Sequence, residues 1–313
     1  MGNRLDNGSR VNREVYARFC ERLRVKFPGS TYPRWEVFAD TEGKIGHRWY
    51  LWVFKSSSVT FFVLDPSRSA AVVNDVLGGL DGGTISCDRY GAYKKFARLN
   101  TGFTLLFCWV HQRRDLLNLA NDHPELASWA LAWVEFIGEM FAVHAQRAEA
   151  AAAGRDHAEL DRQLREAIGE MARKREAALA DATLPTAAVK VLQSMARHWV
   201  GLTSFLDQPE LPLDNNAAER ALRPAVIGRK NFYGSGSHWS AELAAMMFSI
   251  LMTLRHWTIN PHTWLSAYLQ ACAEHGNQAP PDLSAFLPWT MDAQRLQAMR
   301  SLFHHRPTGV DSS

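Results

Sequence analysis

The stretch between residues 35 and 111 constrains the fold most. WEVFAD, HRWYLWVFKS and SVTFFVLDP are three short runs rich in Trp, Phe, Val and Tyr, broken by TEGKIG and by Ser56, Ser57 and Ser58. Runs of this kind, punctuated by turn residues, read as an antiparallel meander of three strands. SRSAAVVNDVLGG then reads as a helix, with Ser67 or Ser69 as its N-cap and Gly78 and Gly79 as its stop. GTISCDRY is a fourth strand ending at Asp88, AYKKFARLN a helix, and FTLLFCWVH a fifth strand. Three antiparallel strands followed by alternating helix and strand predict an α/β protein, with a mixed five-stranded sheet and flanking helices.

That strand order is the order of a ribonuclease H-like core. From Gln112 to about Leu206 no strand signal recurs. LASWALAWVEFIGEMFAVHAQRAEAAAAG is long and apolar on one side, and Leu160, Leu164, Ile168 and Met171 repeat at helical spacing. Gly154 and Pro185 mark breaks. The block reads as a large all-helical insertion. The chain returns at LPLDNNAAERALRP, where Asp214, Asn215 or Asn216 can cap a helix holding Glu219 and Arg223. Pro224 is expected to kink or stop that helix. KNFYGSGSHW is a Gly/Ser loop, SAELAAMMFSILMTLRHW an apolar helix on the sheet, and PHTWLSAYLQACAEH a closing helix after the Asn260-Pro261 turn. The boundaries expected are a basic segment at 1–30, core at 31–117, insertion at 118–207, core again at 208–275, and a tail at 276–313 that frays at RPTGVDSS.

The 313 residues suffice for a sizeable core without disulfide staples. Four scattered cysteines with no CxxC pair exclude a disulfide scaffold and fit a reducing cytoplasm. The start, MGNRLDNGSRVNREVY, has no apolar core of a secretory signal. No apolar run approaches the ~20 residues needed to cross a bilayer, so no membrane partner is expected. Net charge is only +3, but the cations bunch. Residues 1–30 carry seven Arg or Lys against three acids, and residues 214–230 place Arg220, Arg223, Arg229 and Lys230 around Asp214 and Glu219. Such bunching suits a polyanion, or is ordinary solvated charge.

Carboxylates at strand ends carry the chemistry. In a ribonuclease H-like sheet an Asp on the first strand, an Asp ending the fourth and an acid on a later helix converge on two divalent ions about 4 Å apart, which clamp the oxygens of a phosphodiester. Mg²⁺, with Mn²⁺ as substitute, needs only two or three hard oxygen ligands. Asp88 stands where the second acid belongs, and Glu219 is the candidate for the third, 131 positions later across the helical block. Each alone is more simply a turn Asp and a Glu favoured by a helix dipole. Arg113, Arg114, Asn215, Asn216, Arg220, Arg223, Arg229 and Lys230 are candidate DNA contacts. Cys108 and His111 have a spacing that can ligate zinc, but without a second pair a strand end with a His near the site is the favoured reading.

DPSRSA at 65–70, CDRYGAYKKFA at 87–97, FCWVHQRRDLL at 107–117 and LDNNAAERALRPAVIGRKNFYGSGS at 213–237 resemble the transposases of the insertion-sequence-sixty-six family, bacterial enzymes of the DDE type. The resemblance runs from about Arg34 to about Trp289. It implies a ribonuclease H-like fold with a helical insertion and metal-dependent DNA strand cleavage and strand transfer. The implied partners are the element ends, target DNA, accessory transposition proteins and further copies of the chain on DNA. Asp88 matches the family's second acid and Glu219 its third, with Asp214, Asn215, Asn216 and Arg220 in the same block. One departure matters. The family's Asp-Glu-Thr run before RW.VF falls here on Thr31, Tyr32 and Pro33, and a threonine supplies no anionic oxygen. Asp40, nine residues on in the turn after the strand, is a poor substitute, and Asp65 is not favoured. The family's zinc-binding N-terminal part is not visible in residues 1–33. The alternative is therefore a disabled remnant that binds DNA or transposase subunits without cutting. A purely structural role for the A/E/R-rich block at 145–180 would leave DNN…GRKN unaccounted for.

Overall fold

The structure is a computed structural model that describes residues 27–28, 34–37, 47–232 and 234–300. The basic segment before residue 27, Thr31, Asp40 and the tail after Arg300, with RPTGVDSS and His304-His305, lie outside the described residues.

The fold is mixed α/β and mostly helical. Strands β1 (Phe27–Pro28), β2 (Arg34–Val37), β3 (His47–Lys55) and β4 (Thr60–Asp65) are followed by helix α1 (Ala70–Leu77) and strand β5 (Gly83–Cys87). Helix α2 (Gly91–Leu99), strand β6 (Phe103–Phe107) and helix α3 (Trp109–Asp122) come next. Among the described residues the strands form two three-stranded sheets rather than the single five-stranded one expected. β2, β3 and β4 are antiparallel, with Trp35 opposite Trp49 and Trp52 opposite Val63. β1, β5 and β6 are parallel, with Phe27 opposite Ile85 and Ile85 opposite Leu105. The physical reason lies at the start of the chain. Among the described residues β1 and β2 are short, and Pro28 in β1 has no amide to donate to a ladder.

β3 shows why the meander forms. Its side chains alternate, as a strand's must. Trp52 and Phe54 join one core with Val73, Leu77, Tyr93, Phe96, Ile85 and Leu106. Leu51 and Val53 join another with Ala218, Ala221, Leu222 and Ala225. Ser69 caps α1 and Gly78 ends it, as expected from the sequence. The fifth strand is shorter than expected. It ends at Phe107, Cys108 caps α3, and the Trp109 amide leaves the sheet to donate to Leu213 O at 2.9 Å.

Helices α4 (Ala127–Ala152), α5 (Ala158–Ala180), α6 (Thr186–Arg197) and α7 (Trp199–Thr203) follow. Leu164, Ile168 and Met171 are buried, so the stripe is core packing. Gly154, at φ 65°, lies past the end of α4, and Pro185 caps α6. Contrary to the expectation that no apolar run approaches membrane length, among the described residues one helix, Pro124–Ala152, is long and apolar enough by length and composition to cross a membrane. Its Ile137 and Met140 belong to the main core, and its buried Arg147 pairs with Asp161 of α5.

Helix α8 (Asn216–Phe232) does not stop at Pro224 but continues past it. The stop is overridden because Ala218, Ala221, Leu222 and Ala225 bury one continuous face on both sides of the proline. Helix α9 (His238–His256) opens with a capping box between Ser237 and Ser240 and lies along β4. There Ser249 Oγ accepts from Phe62 N at 2.9 Å, and Thr253 Oγ1 accepts from Thr60 N at 3.1 Å. The free edge of β4 is thereby covered by hydroxyls. Helix α10 (Pro261–Glu274) is capped by Asn260, and α11 (Ala293–Met299) by Asp292.

Candidate functional site

The site forms where three chain segments end side by side. Asp88 follows β5 directly, and its Oδ1 accepts from the Tyr90 amide at 3.0 Å. His111 lies in the first turn of α3, just after β6, and not on a strand end. Glu219 lies in the first turn of α8. The start of α8 is held in place by the ends of the parallel strands. Ser86 Oγ donates to Asp214 O at 3.2 Å, and Trp109 N donates to Leu213 O. Asp214 Oδ1 accepts from the Asn216 amide at 3.0 Å, and Oδ2 from its Nδ2 at 2.7 Å. Asn215 O accepts from the amides of Ala218 and Glu219, which starts the helix. The run Asp214-Asn215-Asn216 is thus a helix-start device that aims Glu219.

His111 is the meeting point. Its Nε2 lies 3.8 Å from Glu219 Oε1, and the charges of both Glu219 and Asp88 reach it. Burial nevertheless holds its pKa below the usual histidine value, helped by Arg114 and Arg89, so the ring is neutral near pH 7. Its Nδ1 is buried with no hydrogen-bond partner among the described residues. Burial pushes the Asp88 carboxyl up, against the Tyr90 amide and the charges of His111, Arg68 and Arg89. A carboxylate raised by burial gains from a bound cation, and two carboxylates are the oxygen donors that Mg²⁺ takes. Asp88 and Glu219 therefore fit part of a metal site. Among the described residues no group of three or more His, Cys, Asp or Glu gathers to hold an ion.

The basic candidates divide by placement. Arg220, Arg223 and Ile227 are exposed along one face of α8, opposite the buried alanines. Arg113 and Arg114 are exposed on α3. Arg229 and Asn216 are half-buried, and the side chain of Lys230 lies outside what is described. Asn215 needs a correction as a DNA contact. It is 0% exposed, so it shapes the start of α8 and does not face a ligand. Cys108, for which a buried strand end is the favoured reading, caps α3. It is buried, burial raises its thiol, and the amides of His111, Asn215 and Val110 point at the sulfur.

Residues 34–243 match the family model "Transposase IS66 family". The chain belongs to this family. The matched span begins at Arg34 and takes in Asp88, His111 and Glu219. Among similar proteins of Sinorhizobium fredii, the uncharacterized protein y4jD is 27% identical over 246 residues, 75% of this chain and 46% of that one. The uncharacterized protein y4hP is 30% identical over 225 residues, 66% of this chain and 39% of that one. For the uncharacterized protein y4qI the figures are 26% over 296 residues, 88% and 52%. The chain spans about half the length of these relatives. No solved structure is a significant match.

For this member of the IS66 transposase family, motif reading missed two arginines beside Asp88. Arg89 donates to Asp115 Oδ2 at 2.6 Å, Gln112 Oε1 at 3.1 Å and Ser194 Oγ at 3.1 Å. It ties the loop after Asp88 to α3 and α6. Arg68 lies between two tyrosine rings. Both sit in the motifs DPSRSA and CDRYGAYKKFA, but an arginine in a motif does not announce its partner.

Proposed function

We propose that this chain carries the catalytic portion of an IS66 transposase, which cuts DNA and joins the freed 3′ ends to target DNA. The observation that carries this reading is the convergence of Asp88, His111 and Glu219 from three elements, with exposed arginines on the same helix as Glu219. The fold behind it is read as ribonuclease H-like. In that reading α4 to α7 form the insertion between the second and third acids.

Asp88 and Glu219 would hold Mg²⁺, or Mn²⁺ in its place. A bound ion supplies charge stabilisation to the attacking and leaving oxygens of a phosphodiester. Neutral His111 orients Glu219 and keeps bulk water off its inner side. Arg113, Arg114, Arg220, Arg223, Arg229 and Lys230, with Asn216, contact backbone phosphates and fix the register of the strand. Water first frees a 3′-hydroxyl, which then attacks target DNA in line. The partners are the element ends, target DNA, further copies of the chain and accessory transposition proteins, in a bacterial cytoplasm.

A second reading, a disabled transposase that binds DNA without cutting, rests on Thr31 standing where the family has its first Asp. Both are tested by nicking of labelled duplex in Mg²⁺ and in Mn²⁺. The expected result is metal-dependent nicking that falls roughly a thousand-fold in Glu219→Gln and in Asp88→Asn. Nicking by Thr31→Asp but not by the unaltered chain would establish the second reading. Equal nicking by Glu219→Gln would overturn both.

A further inference from the structure

We propose that Arg89 is a positioning residue through which the helical insertion holds the Asp88 side of the site, a role that rests on the cation-site reading above. Arg89 follows Asp88 directly, in the loop between β5 and α2. Its guanidinium joins three acceptors on two helices. Nη2 donates to Asp115 Oδ2 at 2.6 Å, and Nη1 donates to Gln112 Oε1 and to Ser194 Oγ, both at 3.1 Å. Gln112 and Asp115 are three positions apart on α3, so one face of that helix offers both. Ser194 belongs to α6, in the insertion. A planar fork with several fixed N–H groups suits acceptors spread in this way.

These contacts bear on the site from two sides. Asp88 Oδ1 accepts from the Tyr90 amide at 3.0 Å, so the loop that Arg89 anchors is also the loop that aims the carboxylate. On α3, Gln112 follows His111, whose Nε2 lies 3.8 Å from Glu219 Oε1. Gln112 is 0% exposed, and its Nε2 is buried with no hydrogen-bond partner among the described residues. Arg89 therefore supplies a bond that this buried amide needs. The insertion grips the same stretch at a second point. His198 caps the end of α6, and its Nε2 lies 3.2 Å from Lys94 Nζ of α2, the helix that the loop leads into. A metal-binding carboxylate depends on the residues that orient it, and losing one of them costs metal affinity. Charge alone works the other way. The positive charge of Arg89 reaches Asp88 and repels a cation there, so charge alone predicts tighter cation binding once the arginine is removed.

The experiment is Mn²⁺ titration followed by electron paramagnetic resonance, alongside thermal unfolding, on the unaltered chain, Asp88→Asn, Arg89→Ala, Arg89→Lys, Ser194→Ala and Ser249→Ala. Ser249, on α9, bonds to Phe62 and Ala245 and controls for lost stability. Arg89→Ala is expected to weaken Mn²⁺ binding roughly ten-fold or more. Arg89→Lys keeps the charge but not the fork, and it and Ser194→Ala should each weaken binding less. Ser249→Ala should leave binding unchanged. Equal or tighter binding by Arg89→Ala, with the site lost in Asp88→Asn, would overturn the assignment and leave the cation-site reading intact. The same weakening in Ser249→Ala would overturn it too, by tracing the loss to stability. Should Arg89→Ala fail to fold, unchanged binding in both Arg89→Lys and Ser194→Ala would overturn it. The lack of any saturable Mn²⁺ site in the unaltered chain would overturn the cation-site reading and this assignment with it.

Discussion

His256 shows how a single side chain couples the fold to pH. Its ring lies 2.8 Å from Thr60 Oγ1, at the start of β4. Burial, with Lys55 and Arg255 nearby, holds its pKa at about 4. In the unfolded chain it takes its proton near 6.5, so between about 6.5 and 4 the unfolded chain binds more protons than the folded one. Stability from this group is therefore full above about 6.5 and is lost as pH falls toward 4. His256→Gln keeps a polar partner for Thr60 and removes the titration. The expected outcome is a smaller drop in Tm across that window than in the unaltered chain, measured by calorimetry. An identical drop would show that His256 titrates as an ordinary surface histidine. Lys55 is pushed down by burial first and then by Arg220.

At the scale of elements, α9 does more than cover the sheet with apolar surface. Ser249 and Thr253 satisfy the amides of Phe62 and Thr60 along the edge of β4. Ser249→Ala would leave the Phe62 amide buried and unpaired, which costs about 1–3 kcal/mol. A lowered urea midpoint with an unchanged slope is the expected result, and an unchanged midpoint would mean that the edge is not closed by this hydroxyl. This role was hidden in the sequence, where SAELAAMMFSILMTLRHW reads only as an apolar helix. Its two hydroxyls acquire a purpose through strand residues 187 and 193 positions away. Helix ends were more legible, because caps are local. Ser69, Pro185 and Asn260 each act within their own turn. Pro224 misled for the complementary reason. A local rule allowed a stop there, and packing of Ala221, Leu222 and Ala225 carries the helix on.

For the whole molecule, the candidate site is a product of topology. Asp88 and Glu219 are 131 positions apart and both act on His111 only because the chain returns past Ser86 and Trp109 before starting α8. Strand patterns and motif positions made both acids legible as candidates. His111 between them was legible only as a histidine near the site, since its place depends on where β6 stops and α3 starts. The pairing of the N-terminal strands was not legible at all, because Pro28 removes a ladder donor and nothing local says which sheet each piece joins. The central claim is that Asp88 and Glu219 are two parts of one divalent-cation site. The most direct measurement is Mn²⁺ titration followed by electron paramagnetic resonance, on the unaltered chain, Asp88→Asn and Glu219→Gln. The account predicts a saturable Mn²⁺ site that competes with Mg²⁺ and is weakened in both variants. A saturable site untouched by either substitution, or no site in the unaltered chain, would contradict it.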